Sequence, residues 1–139
     1  MTTKYYLNQD ILPTIPTPHD SIITAIDYNS EFLILKFEED ISRHDSIKLI
    51  NPNAKSLNIR VHLLDPDFET YKWEQKCSLI KGEGFILTDN RKVFGSKFKK
   101  MEYLYHYVGY NSIIIQLFQS RYIILNVQSD FIEFEWIEK

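Results

Sequence analysis

Residues 112–137 read SIIIQLFQSRYIILNVQSDFIEFEWI, and they decide the fold class. Three apolar runs, 112–118, 121–127 and 131–137, are separated by the polar links Gln119-Ser120 and Gln128-Ser129-Asp130. Each run is short for a globular helix, and together they are rich in Ile, Phe, Tyr, Trp and Val, which suit a pleated, half-buried surface. In the last run Ile132, Phe134 and Trp136 alternate with Glu133 and Glu135, giving a strand one apolar face and one wet face. The first two runs are apolar on both faces, which predicts strands that are central in a sheet or covered on each side. Links this short predict that the three runs pair in order as a C-terminal antiparallel meander.

The same pattern continues back along the chain. Runs at 21–28, 31–38, 46–50, 56–64, 70–80, 84–88 and 97–108 are interrupted by turn residues such as Asn51-Pro52-Asn53, Asp65-Pro66-Asp67 and Gly82-Glu83-Gly84. Nine Tyr, nine Phe and abundant Ile stand against only two alanines, Ala25 and Ala54, and Ala is the best helix former. The expected fold is therefore mainly β, a single antiparallel β-sandwich or rolled-sheet domain with little helix. Residues 68–77 suit either period, with strand preferred, and a helical turn fits 41–44. Pro13, Pro16 and Pro18 force extended backbone. Residues 1–18 thus read as a Pro-rich N-terminal arm with an edge strand at 4–7, and residues 19–139 as a single all-β domain.

At 139 residues the chain has the length of one domain, and 44% hydrophobic with 25% charged residues is ordinary for a globular protein. The formal net charge of −3 denies it the overall positive field that nucleic acid or an anionic membrane would attract. The lone Cys77 excludes an intramolecular disulfide and any Cys-based zinc ribbon. No run approaches a membrane span or the apolar core of a signal peptide, so a reduced, cytoplasmic setting without membrane association is expected. There is no G-x-S-x-G turn, P-loop or G-x-G-x-x-G turn, so no catalytic residue is assigned and no cofactor is expected.

His-Asp-Ser-Ile occurs twice, at 19–22 and 44–47. If the two copies converged, His19, Asp20, His44 and Asp45 would offer two imidazoles and two carboxylates to a divalent metal or to proton transfer. Neighbours on a strand point to opposite faces, however, so a His and its adjacent Asp reach one ion only where the backbone bends. The stronger expectation is that each copy marks a loop running into a strand, with Asp and Ser bonding nearby backbone N–H groups. The acidic cluster Glu38, Glu39, Asp40 and Asp45 lacks the glycine of a calcium loop and reads as solvated. In 56–64, Leu57, Ile59, Val61 and Leu63 should face the core, with Asn58, Arg60 and His62 outward.

The most unusual local chemistry is RKVFGSKFKKMEYLYHYVGY, residues 91–110. Five cations, Arg91, Lys92, Lys97, Lys99 and Lys100, lead into Tyr103, Tyr105 and Tyr107. On one unbroken strand Lys97, Lys99, Met101 and the three tyrosines would share a face. Such a face suits a protein partner or, as the lesser alternative, single-stranded nucleic acid or a glycan. The plain alternative is that Glu133 and Glu135 neutralise these lysines across strands.

HDSIITAIDYNSEFLILKF, residues 19–37, resembles the opening of small uncharacterised bacterial all-β families, in which a His-Asp doublet precedes an Ile-rich strand, a polar turn and an L-x-L-x-F strand. Some proteins of that appearance, small, acidic and β-rich, resemble immunity proteins that neutralise toxins by binding them. The resemblance carries no functional residue. It implies a binding protein, with an immunity-type inhibitor of a protein toxin as its concrete form. The alternatives are a ligand- or metal-binding, enzyme-like protein with a pocket near the His-Asp doublets, and a nucleic-acid-binding accessory protein.

Overall fold

Alternating polarity in the sequence becomes alternating burial. In 56–64, Leu57, Ile59, Val61 and Leu63 are buried while Asn58, Arg60 and His62 look outward. The computed structural model describes residues 1–39, 45–77, 82–90, 94 and 98–138. Its strands are β1 (Thr2–Tyr6), β2 (Ile22–Tyr28), β3 (Phe32–Phe37), β4 (Ala54–His62), β5 (Glu69–Cys77), β6 (Gly82–Thr88), β7 (Met101–Gly109), β8 (Ser112–Gln119), β9 (Arg121–Gln128) and β10 (Phe131–Glu138), and a short helix, α1, spans Asp45–Ile50. The expected mainly β architecture is what forms, and residues 69–77 take the strand reading. No helix among the described residues is long and apolar enough to cross a membrane.

All ten strands belong to one antiparallel sheet in the order β1-β10-β4-β3-β2-β7-β8-β9-β5-β6, and its two ends do not close into a barrel. One hydrophobic core draws on both halves of the sheet: Leu35, Ile59 and Phe134 from one, Ile115, Leu117 and Leu125 from the other. Ring contacts tie the halves together, Phe37 to Tyr103 at 5.7 Å and Tyr28 to Phe68 at 5.5 Å. The sheet is therefore rolled upon its own apolar face, leaving an outer face on each half.

Three expectations are corrected. The hairpin of β8 and β9 forms in full register from Ser112↔Gln128 to Gln119↔Arg121, but β10 does not continue the meander. It crosses to lie between β1 and β4. Its turn is held by distant backbone, since Ser129 N–H donates to Asn111, Leu64 N–H to Gln128 and Leu7 N–H to Asp130. A short link fixes where the next strand starts and leaves its partner open. Residues 46–50 form part of α1, not a strand: Ile47 is buried while Leu49 is 86% exposed. Asn51 closes this turn by donating its N–H to the Ile47 carbonyl at 2.9 Å. The turn expected at 41–44 lies outside the described residues.

Third, Glu133 and Glu135 do not pair with Lys99 or Lys100, because three strands, β4, β3 and β2, stand between β10 and β7; Lys92 and Lys97 lie outside the described residues. Lys4 and Arg60 approach Glu133 at 4.0 and 3.7 Å, and Arg60 also reaches Glu135 at 3.7 Å.

The two halves meet at a narrow seam. Only Ile22↔Glu102 and Ile23↔Met101 join β2 to β7, and past that point residues of the N-terminal arm take over the edge of β7. Tyr103 N–H donates to the Ser21 carbonyl at 2.9 Å, and Asp20 N–H donates to the Tyr103 carbonyl at 2.8 Å. Further along, Leu7 and Ile15 are buried in the core.

Candidate functional site

The first His-Asp doublet serves the seam. Asp20 adopts φ 65°, a left-handed conformation that Asp tolerates better than most residues. The His19 ring meets the Leu104 carbonyl through Nδ1 and the Asp20 carboxylate through Nε2 at 3.3 Å. This copy does mark a loop running into a strand, β2. The second copy opens α1 instead, and His44 together with the Asp45 side chain lies outside the described residues. Among the described residues no three His, Cys, Asp or Glu side chains are grouped to hold a metal ion.

The proposed row of tyrosines on β7 is split. The β7–β8 ladder slips by one residue between Tyr103 and Tyr105, a β-bulge that turns the following side chains to the other face. Met101 and Tyr103 therefore point into the core, while Tyr105 and Tyr107 are 49% and 58% exposed. Lys99 and Lys100 are exposed; Arg91, Lys92 and Lys97 lie outside the described residues. The unbroken basic-aromatic face does not form.

Inside the bulge a buried polar triad takes shape. His106 Nε2 lies 2.9 Å from the Ile15 carbonyl, and its Nδ1 lies 2.6 Å from the Tyr103 hydroxyl. A carbonyl only accepts, so Nε2–H donates to Ile15, and neutral His106 accepts the Tyr103 proton at Nδ1. Burial holds His106 below the usual imidazole range, partly offset by the bond to Ile15. Burial also pushes the Tyr103 hydroxyl far above the usual phenol range. Beside the triad runs an open groove of about 320 Å³ between Pro13, Thr14 and Ile15 on the arm and Tyr105 to Val108 on β7.

The two outer faces differ sharply. On the β10–β4–β3–β2 half, register lines up Glu133, Arg60, Ile34 and Asp27, with Lys4 beyond Glu133 on β1. Lys36 reaches Asp27 at 3.0 Å, Asn58 donates to Glu135 at 3.1 Å, and the Arg60 guanidinium lies 4.3 Å over the Phe32 ring. His62 stacks on Phe131 and bonds Asp130 at 2.6 Å. Charge on this face is answered within the chain.

On the β7–β8–β9–β5–β6 half the outer face is aromatic and aliphatic. One row runs Tyr105, Gln116, Ile124, Tyr71, Leu87 across five strands. Flanking it, Tyr107 opposes Ile114, Phe118 packs on Tyr122 at 5.2 Å, and Trp73 packs on Phe85 at 4.9 Å. Leu87 is 61% exposed and Tyr122 45%. Five strands at the usual spacing make this face about 20 Å wide. The β8 and β9 strands are central as expected, yet among the described residues this side of them is open. Phe85, Leu87, Phe118 and Tyr122 escaped sequence reasoning: each is an ordinary alternating strand residue, and only the strand order brings them onto the same face as Tyr105 and Tyr107.

Comparison with protein-family models, curated proteins and solved structures finds no match to this chain.

Proposed function

We propose that the protein acts by non-covalent binding of a protein partner on the outer face of β7–β8–β9–β5–β6. The observation that carries this reading is that Tyr105, Tyr107, Ile114, Phe118, Tyr122 and Leu87 are all exposed on one sheet face, in neighbouring rows. Exposed apolar side chains gathered on one face mark interaction sites, and aromatic side chains are the ones enriched where partners dock. The opposite half supplies a contrast, because its charges are paired in place and need no partner. Residues 19–37 support the concrete form, an immunity-type inhibitor of a protein toxin.

The reading is tested by co-expression with the product of the adjoining gene and measurement of complex formation. The double variant Tyr107→Glu/Tyr122→Glu should keep its melting temperature and lose about a hundredfold or more in affinity, since central aromatic anchors contribute about 2 kcal/mol or more each. Unchanged affinity in the folded double variant moves the site off this face.

A further inference from the structure

We propose that the edge of β7 between Tyr105 and Val108 takes up an extended, uncharged segment of a partner protein as an added strand. The proposal deepens the binding reading, since Tyr105 and Tyr107 border both surfaces, but it concerns the edge of a strand and not the face of the sheet.

Both ends of this edge are occupied. Tyr103 N–H donates to the Ser21 carbonyl, the Tyr103 carbonyl accepts from Asp20 N–H, and the Leu104 carbonyl meets the His19 ring. At the far end the turn after β7 is tied to the arm, Asn111 N–H donating to the Leu7 carbonyl at 2.8 Å. Tyr103 thus turns both its backbone groups away from β8, and after the one-residue slip that orientation recurs at His106 and Val108. Neither residue's backbone meets a partner on that side. The pairing of β2 with β7 is confined to Glu102 and Met101, and no bond to these N–H and carbonyl groups is made there among the described residues.

The arm passes alongside without closing the gap. Pro13, Pro16 and Pro18 have no N–H to donate to a strand. Ile15 is buried in the core and turns its carbonyl to the His106 ring, not to the β7 backbone. What is left is the groove of about 320 Å³, with Pro13, Thr14 and Ile15 on one wall and Tyr105 to Val108 on the other. Sheet edges are commonly guarded by lysine or proline, and residues 104–109, LYHYVG, contain neither.

The free groups specify the occupant. A donor and an acceptor at His106 repeat at Val108, about 7 Å further on, which is the spacing of an extended backbone and not of a compact small molecule. From Tyr105 to Val108 the window is about 14 Å long, room for a short strand. No Asp, Glu, Lys or Arg lines the groove, so a charged side chain entering it would lose water without gaining a counter-charge. The added segment lies in the lane that β2 leaves, with alternate side chains beside Tyr105 and Tyr107.

Linear heptapeptides selected from a random display library on the whole protein, then synthesised with blocked ends, are the probes. Their central residues should be uncharged. Amide hydrogen exchange read by proton–nitrogen correlation spectra should show His106 and Val108 at least tenfold slower in the complex, with β1 and β10 amides unchanged. N-methylation of alternate peptide residues should weaken binding about tenfold or more in the phase that faces β7, where two hydrogen bonds are lost, and leave it unchanged in the other phase. Thr14→Trp, at an exposed arm position, fills the groove and should weaken binding as much at an unchanged melting temperature. A library that yields no binder, binders with charged centres, or binding indifferent to both N-methylation phases overturns the proposal, even if Thr14→Trp fails to fold. Binders that perturb Ile114 and Leu87 but leave His106 and Val108 exchange unchanged also overturn it, while the face reading stands.

Discussion

Phe134→Ala is expected to cost roughly 3–5 kcal/mol of folding stability, the range for emptying a large aromatic site in a core. The ring is completely buried and packs edge-on against Tyr5 at 5.3 Å and Trp136 at 5.6 Å. Its strand is bonded to β1 on one side and β4 on the other, so two ladders hold the walls apart and prevent the cavity from collapsing. Urea unfolding should show a lower midpoint with an unchanged slope. Leu49→Ala, on the exposed side of α1, should fall within about 0.5 kcal/mol of wild type. A loss below about 1 kcal/mol for Phe134→Ala would contradict the placement of β10 between β1 and β4.

Tyr103→Ala should be of similar size, roughly 3–5 kcal/mol, because it empties a fully buried site against Phe37. It also leaves His106 Nδ1 without its donor. Tyr103→Phe separates the two effects: the ring remains and only the hydroxyl is lost, at a cost of roughly 1–3 kcal/mol for an unsatisfied buried acceptor. A neutral Tyr103→Phe would mean that the contact between hydroxyl and imidazole does not stabilise the folded chain.

Much of this fold is legible in the sequence, for reasons that differ by element. The period of two in β4 and β10 is a local property, and Leu57, Ile59, Ile132 and Phe134 lie inside as their spacing requires. The β8–β9 hairpin is equally local, because Ser120 at φ 56° makes the reversal and register follows from it. Strand order is not local. The partner of β10 is decided by which apolar faces share the core, so a meander and a crossover look alike on paper. Likewise SIKLI carries enough β-branched residues to suggest a strand, yet it forms a short helix whose Ile47 docks into the core.

The site was readable only in part, and the bulge explains why. An extra residue near Leu104 shifts the alternation of every following side chain, so Tyr103 and Tyr105 part company although they stand two apart. Tyr105 and Tyr107 remain candidates on an exposed face, and His106, which stands between them in the sequence, turns inward to bond Tyr103 and Ile15. The repeated His-Asp doublet illustrates the opposite error, since similar letters enter a strand at one place and a helix at the other.

The most direct test of partner binding on the aromatic face is methyl cross-saturation in the complex with the adjoining gene's product. Ile114 and Leu87 stand on the aromatic face, whereas Ile34 stands on the charged one. Strong attenuation at the methyls of Ile114 and Leu87, with Ile34 untouched, is the predicted result; attenuation at Ile34 with Ile114 and Leu87 unaffected would contradict it.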